Sequence, residues 1–233
     1  MIPKNIIYVW FGKSEYPKSV SDYIKNWKKI NPNFNFIKID ESNFNIDFCN
    51  FTKVAYEDEK MAFVSDVARI WAINKFGGIY LDTDVELIKK LDDFLQYRQF
   101  WAEEDAGFVN SGLIFGSEPN SPILEEILDV YKNIEFSNEN IKKISTVKIV
   151  SNILREHGVK YTNKNQLLNN EFMVFGPNYF APFHYWGGGK IRKETVAIHH
   201  YNASWCKKSN SFINYVGHEV LFNIPILSKI YKR

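Results

Sequence analysis

Cysteine is scarce in this sequence, which has only Cys49 and Cys206 among 233 residues. The two lie far apart along the chain and form neither a short zinc-binding spacing nor the dense cysteine framework of a small secreted domain. We therefore expect free thiols in a reducing compartment.

Long apolar runs and an excess of one charge are also missing. No apolar segment approaches the ~20 residues that span a bilayer, and the amino terminus lacks the features of a signal peptide. The expected location is the cytoplasm. The formal net charge is only +2, and no basic cluster alternates with aromatic residues, so we expect no nucleic-acid partner.

Aromatic residues, in contrast, make up 16% of the chain. Such rings fill cores, and they also stack on bases and sugars. The length suits one substantial domain, and no repeat or linker divides it, so we predict a single domain over 1–233. Short apolar strands alternate with helices, which predicts an α/β class with a mostly parallel central sheet flanked by helices.

Hydrophobic periodicity predicts the individual elements. Strands are expected at 5–11, 35–40, 79–81, 99–103, 110–115, 172–175 and 195–201, and helices at 19–30, 57–76, 122–134 and 146–157. Ser19 or Ser21 is the expected cap of the first helix, and Gly77-Gly78 the end of the second. The second helix is apolar nearly all round, so we predict that it is buried.

The acidic pair Asp82 and Asp84 directly follows the predicted strand 79–81. If the strand continues through the pair, both carboxylates face one side, about 6–7 Å apart at Cα. Ligands bind at this end of strands in open α/β sheets, and two carboxylates suit one hard divalent cation. Such a cation neutralises the charge that develops on a nucleoside diphosphate leaving group. A solvated turn is the alternative interpretation.

Three segments together resemble glycosyltransferase family 32, which includes bacterial capsule and lipopolysaccharide enzymes, yeast initiating mannosyltransferases and, distantly, clostridial glucosylating toxins. SDVAR followed by GGIYLDTD, within 65–84, resembles the family signature. IPKNIIYVWFG, at 2–12, resembles the opening IPKxIHxIWFG. The match is imperfect, because Tyr8 follows Ile7 here, whereas many members have a histidine earlier in the motif. AIHHYNASW, at 197–205, resembles the closing IHHxxxSW.

The resemblance implies a GT-A fold, a divalent metal and retention of anomeric configuration. Asp82 and Asp84 would bind the metal and be essential for catalysis, with manganese expected and magnesium as the alternative. The implied donor is a nucleotide sugar, for which we expect a UDP-sugar. The implied acceptor is a saccharide or a lipid-linked oligosaccharide in surface polysaccharide synthesis.

The resemblance also assigns a base pocket. Trp10 would stack on the uracil of the donor, with Val9 beside it, because a base needs a flat and polarizable surface. Tyr80 would complete the base or ribose pocket. The alternative for Trp10 is a place in the core.

The predicted helix 57–76 carries the next group, Ser65, Asp66 and Arg69. Asp66 and Arg69 lie three residues apart and share a helix face. By resemblance, all three would bind the ribose or the transferred sugar. The alternative is an exposed ion pair that contributes little.

Two histidines end the predicted strand 195–201. A late histidine commonly completes metal coordination in GT-A enzymes, and neighbouring strand residues face opposite ways. We choose His200 as the metal ligand, with His199 close behind. Ser204 and Trp205 would hydrogen-bond the diphosphate through the hydroxyl and the indole N–H.

Three acidic residues, Glu103 to Asp105, and the turn-like Asn110-Ser111-Gly112 occupy the middle of the chain. The functional interpretation places Asn110 near the transferred sugar and an acidic residue, with Glu103 as our choice, at the acceptor hydroxyl. The alternative is a solvated loop and a turn.

Other functions are compatible with parts of this pattern. A hydrolase or nucleotidyltransferase would not need Trp10 or the terminal Ser-Trp, and a non-catalytic carbohydrate-binding module would be expected to have lost Asp82 or Asp84. A glucosylating effector of host proteins shares the motifs, but its catalytic domains are longer. From about 207, a basic and apolar tail either packs on the domain or makes peripheral contact with the inner membrane face.

Overall fold

A computed structural model describes residues 1–137, 144–169, 172–184 and 188–201 of the chain. The strands are β1 (Asn5–Val9), β2 (Asn35–Ile39), β3 (Gly78–Leu81), β4 (Val85–Leu87), β5 (Gln99–Asp105), β6 (Phe108–Val109), β7 (Ile114–Ser117), β8 (Gln166–Leu168), β9 (Phe172–Phe175) and β10 (Ala197–His199). The α-helices are α1 (Lys18–Ile30), α2 (Asn50–Glu57), α3 (Met61–Phe76), α4 (Pro122–Lys132) and α5 (Thr146–Glu156), and short 3₁₀ turns cover Ile46–Phe48 and Asp92–Phe94.

A central sheet takes the order β2-β1-β3-β7-β5-β9-β8, with β6 paired to β5. Strands β1, β2, β3, β5 and β9 run in one direction, and β7 lies antiparallel between β3 and β5. The predicted α/β class, with a sheet whose strands mostly share one direction, is confirmed. A separate pair of antiparallel strands joins β10 to β4.

Apolar side chains cover both faces of the sheet. Strand β1 illustrates this, because Ile7 packs in the cluster beneath α3 and α4 while Ile6 packs in the opposite cluster with α1. Burial on both faces explains why β1 is a continuous apolar run rather than an alternating one. Helix α3 is buried nearly all round, as predicted.

The pair Gly77-Gly78 connects α3 to β3 at a point of close contact. Gly77 has a φ of 62°, and a Cβ added there would lie 2.7 Å from the Pro119 ring. A Cβ at Gly78 would lie 2.7 Å from the Asn5 carbonyl oxygen. Glycine is therefore required for the chain to leave the helix and enter the sheet beside β1.

Three predictions about local structure are wrong. The helix predicted over 57–76 is present as α3 but begins only at Met61, because Glu59 adopts a φ of 58° just after α2 ends at Glu57. Neither Ser19 nor Ser21 caps α1, which follows Pro17 without a side-chain cap. Residues 110–113 form a turn rather than a strand, since the Leu113 N–H donates to the Asn110 carbonyl at 3.2 Å.

Some elements carry no clear periodic signal and were not predicted, namely α2, β4, β6 and β8. The strands among them have two or three residues, too few for an alternating pattern to develop. Within the described parts of the chain, no helix combines the length and the apolar character needed to cross a membrane.

Candidate active site

Asp82, Thr83 and Asp84 form a tight turn between β3 and β4 rather than an extension of β3. The Val85 N–H donates to the Asp82 carbonyl at 3.1 Å, and the Thr83 N–H donates to Asp82 Oδ1 at 2.8 Å. The condition of a strand that continues through the pair is therefore not met, although the strand itself ends at Leu81 as predicted. The turn still leaves both carboxylates partly exposed at the carboxyl end of β3, where ligands bind in open α/β sheets.

Strand β10 brings a histidine to this turn. It pairs antiparallel with β4, so that His199 lies opposite Val85. His199 Nε2 lies 3.1 Å from Asp84 Oδ1, and one ligand atom each from Asp82, Asp84 and His199 lies within 4.8 Å of the others. We call these three residues the metal cluster.

His200 faces the other way. Its Nε2 lies 2.9 Å from Glu86 Oε2, and its ring stacks on Tyr23 with 5.1 Å between centroids. The expectation that only one histidine of the pair reaches the acidic motif agrees with this geometry. However, the structure brings His199 to the aspartates, whereas our first choice was His200.

The charges in the metal cluster favour a bound cation. Burial and the neighbouring Asp84 raise the pKa of Asp82, and Arg69 and His199 only partly offset this. Burial opposes protonation of His199, but its hydrogen bond to Asp84 and the nearby carboxylates raise its pKa overall. Its Nδ1 is buried without a partner in the described structure. Two carboxylates and an imidazole are suitable ligands for a divalent ion such as manganese, so the residues present fit a metal.

Helix α1 supports the acidic turn from below. The Nε1 of the fully buried Trp27 donates to the Val85 carbonyl at 2.7 Å. From the other side, the Asp82 N–H donates to the Leu113 carbonyl at 3.2 Å. Neither support was predicted, because both join residues far apart in sequence that carry no shared motif.

Helix α3 places a buried ion pair next to the cluster. Arg69 Nη2 lies 2.7 Å from Asp66 Oδ1, with side-chain exposures of 6% and 13%. Burial raises the pKa of Asp66 to about 6, with Arg69 opposing the shift and Asp82 adding to it. The alternative interpretation, an exposed ion pair, is therefore wrong, because both side chains are largely buried. The Ser65 hydroxyl donates to the Met61 carbonyl at 2.9 Å, a bond within the same helix.

Tyr80 connects this pair to the metal cluster. Its ring lies under the Arg69 guanidinium, 5.1 Å from the centroid, and its hydroxyl donates to Asp82 Oδ1 at 3.3 Å. Tyr80 is fully buried. It therefore orients Asp82 and Arg69 from beneath, whereas we predicted an open base or ribose pocket.

The Asn110 turn lies against the same arginine. A Cβ added at Gly112 would come within 2.4 Å of Arg69 Nη1 and 3.0 Å of Asn110 Oδ1, so the carboxamide and the guanidinium converge at this glycine. Arg69 Nη1 is buried and finds no partner among the residues that the structure describes. A buried donor without a partner is costly, and a hydroxyl or phosphate oxygen of a ligand would satisfy it.

Glu103 is not brought to the metal cluster. It is fully buried, and Gln166 Nε2 donates to its Oε1 at 3.4 Å. Burial raises its pKa well above the ordinary value, despite a hydrogen bond from the Gly107 backbone and the nearby Arg155. Its neighbour Glu104 accepts a hydrogen bond from Asn110 instead. Glu103 was our choice among three consecutive acids, and the sequence could not show which of them meets Asn110.

Trp10 lines a separate polar cavity of about 530 Å³ at the end of β1. Its Nε1 donates to the Ser14 carbonyl at 2.8 Å, and its ring meets Tyr16 edge-on at 5.1 Å. Lys38 and Asp40 also line the cavity, 2.6 Å apart, and this contact lowers the pKa of Asp40 to about 2. A fixed flat ring beside hydrogen-bonding groups suits a nucleoside.

The cavity and the metal cluster share one edge of the sheet, since β1 and β3 are adjacent parallel strands. Val9 ends β1 with its side chain packed in the core, so only its backbone faces this edge. Ser204, Trp205 and the tail from about 207 lie outside the described residues.

Comparison with known proteins identifies a matching family model, described as the glycosyltransferase sugar-binding region containing DXD motif. It matches residues 17–101, a range that includes the acidic turn, Asp66 and Arg69.

Individual proteins are similar over larger parts of the chain. Uncharacterized glycosyltransferase L373 of Acanthamoeba polyphaga mimivirus is 28% identical over 200 residues, which cover 78% of this chain and 74% of that protein. The solved structure of PaToxG Glycosyltransferase has a TM-score of 0.57 and 19% identity, covering 67% of this chain and 70% of its own. A glycosyltransferase involved in the glycosylation of the major capsid of PBCV-1 has a TM-score of 0.49 and 13% identity, covering 84% and 93%.

The likeness to PaToxG shows the shared fold, and the predicted GT-A type is confirmed at that level. The matched region contains the motif that the structure places at the carboxyl end of β3. The protein is an enzyme of the glycosyltransferase class.

Proposed function

We propose that this glycosyltransferase is metal-dependent and transfers a hexose from a UDP-sugar to a saccharide acceptor with retention of configuration. The metal cluster of Asp82, Asp84 and His199 is the observation that supports this most strongly. When bound there, a divalent cation, with manganese as our first choice, would neutralise charge on the departing diphosphate. Retention is proposed from the resemblance of three sequence segments to family 32.

The protein's own residues would hold the donor along one edge of the sheet. Trp10 would stack on the base in the cavity at the end of β1. Arg69 would donate from its unpartnered Nη1 to an oxygen of the transferred sugar or of the ribose. Asn110, converging on the same point beside Gly112, would contact the transferred sugar.

The acceptor is proposed at the level of its class. A saccharide, free or lipid-linked, in surface polysaccharide synthesis is the acceptor implied by the bacterial members of family 32. Contact of the tail with a membrane belongs to the same proposal, and Ser204 and Trp205 would complete the diphosphate site.

A donor screen tests the proposal. UDP-glucose, UDP-galactose, UDP-N-acetyl sugars and GDP-mannose are incubated with the full chain and manganese, and nucleotide release is measured with and without saccharide acceptors. We expect the protein to release UDP from a UDP-sugar. This release should stop on addition of EDTA and return when manganese is added. Full activity in EDTA would contradict metal dependence, and an inverted product in NMR spectra would contradict retention.

A further inference from the structure

Strand β5 ends in three consecutive acidic residues, and their side chains do not follow the regular alternation of a strand. The pairing of β5 with β6 shifts register between Glu103 and Asp105, which marks a β-bulge. Bulges next to active sites re-aim side chains. Here the carboxylates of Glu104 and Asp105 lie within 4.8 Å of each other and of a His184 ring nitrogen, although neighbours on a regular strand face opposite sides.

Asp105 and His184 form a closed pair. His184 Nε2 lies 3.0 Å from Asp105 Oδ2, and the two side chains are 0% and 4% exposed. A substrate therefore does not reach this pair. The contact joins the segment that contains His184 to the end of β5, immediately beside Glu104.

Glu104 in turn holds the side chain of Asn110. Asn110 Nδ2 donates to Glu104 Oε2 at 2.6 Å, and the Gly112 N–H donates to Asn110 Oδ1 at 2.7 Å. One bond to each end of the carboxamide fixes which end is the donor and which the acceptor. A bond from an amide to a carboxylate is also stronger than one between neutral groups.

The Asn110 side chain lies beside a buried hydrogen-bond donor that a ligand could satisfy. Its Oδ1 and the buried, unpartnered Arg69 Nη1 converge at Gly112. The turn that carries Asn110 also accepts the Asp82 N–H through the Leu113 carbonyl at 3.2 Å. Hydrogen bonds at both ends of the turn therefore connect Glu104, through the turn's backbone, to Asp82 of the metal cluster.

We propose that Glu104 is a positioning residue, which orients the Asn110 carboxamide toward the transferred sugar from a bulge that the neighbouring Asp105–His184 pair anchors. This inference rests on the proposed function, because it assumes that a sugar binds between Asn110 and Arg69. It assigns Glu104 no proton transfer and no contact with the acceptor. Its role requires a hydrogen-bond acceptor rather than a negative charge.

That requirement separates two substitutions. Glu104→Gln keeps a carbonyl oxygen that can accept from Asn110 Nδ2, and its amide can donate to Asp105, so kcat should stay close to that of the wild type. Glu104→Ala leaves the carboxamide without an orienting bond and should lower kcat by about 10²-fold, the scale of losing one oriented hydrogen-bond donor in a transition state. The affinity for free UDP should not change in either variant.

A double-mutant cycle tests whether Glu104 acts through Asn110. Asn110→Ala alone should lower kcat as much as Glu104→Ala, and the double variant should be no worse than Asn110→Ala. Contacting residues of one network deviate from additivity in this way. Losses that multiply, or a Glu104→Gln variant as inactive as Glu104→Ala, would overturn the proposal, since the charge would then act directly on a substrate.

A second measurement does not depend on turnover. In protein labelled with [15N]asparagine, the Asn110 side-chain amide resonances are assigned by their loss in Asn110→Ala. We expect them to shift and exchange faster with water in Glu104→Ala but not in Glu104→Gln. Unchanged resonances in Glu104→Ala would refute the positioning role, whatever the donor screen shows. Failure of every donor in the screen would instead count against the proposed function.

Discussion

Two groups of two carboxylates and one histidine lie close to each other in this molecule, and they differ in what surrounds them. Asp82, Asp84 and His199 meet on a turn, with the Asp84 side chain 15% exposed. The second group, Glu104 with Asp105 and His184, meets at a strand bulge, and the Asp105–His184 pair is closed to solvent. The residue types are the same, so the backbone and the burial must account for any difference in role.

The comparison shows that an open cluster and a closed cluster serve a site in different ways. In the metal cluster, burial and the neighbouring Asp84 raise the pKa of Asp82, and a cation would relieve the repulsion between the carboxylates. In the second group, the carboxylates already bond to Asn110 and His184. We therefore assign ligand binding to the first group and the positioning of neighbouring side chains to the second.

The largest expected effect on activity is that of Asp84→Ala. We expect transfer to be abolished, with a loss of at least about 10²–10³-fold, the scale of removing one group that stabilises transition-state charge. The fold should persist because Asp84 lies on a partly exposed turn. Nucleotide release measures activity and thermal unfolding measures the fold, with Asp82→Asn as a second impaired variant. Normal activity in either variant would contradict the assignment of the metal cluster.

The matching change in the second group is Asp105→Ala, and its main effect should be on stability. Removing one member of a buried hydrogen-bonded pair leaves the other without its partner, which costs about 1–3 kcal/mol. Denaturant unfolding, with Asp84→Ala as the control, should show a larger loss for Asp105→Ala, because the Asp84–His199 contact is less buried. Equal stabilities of the two variants would remove the distinction between an open and a closed cluster.

Histidine substitutions compare the two faces of one strand end. His199→Ala should weaken manganese binding by at least about tenfold, the lower end of what changes around a metal site cost. His200→Ala should leave the affinity unchanged, because His200 contacts Glu86 and Tyr23. Calorimetric titration with manganese in the presence of UDP measures both. The reverse order would restore our original preference for His200.

Much of the metal cluster could be predicted because its aspartates lie two residues apart in sequence and follow a strand. His199 was only one of two candidates, since the choice depends on how β10 pairs with β4. The helical spacing of Asp66 and Arg69 predicted a shared face, and the structure agrees. In each case, local periodicity identified the candidates and tertiary pairing selected among them.

The part that could not be predicted depends on irregular backbone. Alternation along β5 cannot reveal a bulge that puts Glu104 and Asp105 on the same side. Periodicity also did not show that Glu59 would adopt a positive φ and delay the start of α3 to Met61. Trp27 supports the acidic turn through one indole N–H, a contact that only the folded chain creates.

The smallest expected effect concerns Glu103, the acid of β5 that belongs to neither cluster. Burial raises its pKa well above the ordinary 4.5, so the folded state binds this proton more tightly than the unfolded state. Stability that is present at low pH is then lost as the pH rises from 4.5 toward the raised pKa. Glu103→Gln has no titrating group at this position, so its stability does not fall in the same way. Its stability relative to the wild type should therefore increase over that interval, by about 1.4 kcal/mol for each tenfold difference in proton affinity between the folded and unfolded states.

Urea unfolding of Glu103→Gln and the wild type, repeated between pH 4 and pH 8, measures this difference, and transfer assays of the same variant complete the test. We expect nearly unchanged transfer, because Glu103 contacts Gly107 and Gln166 rather than the metal cluster. A stability difference that stays flat with pH would show that Glu103 is charged in the fold. Loss of transfer at unchanged stability would instead support the role at the acceptor hydroxyl that we first expected for Glu103, and the bulge would then no longer separate Glu103 from Glu104 in function.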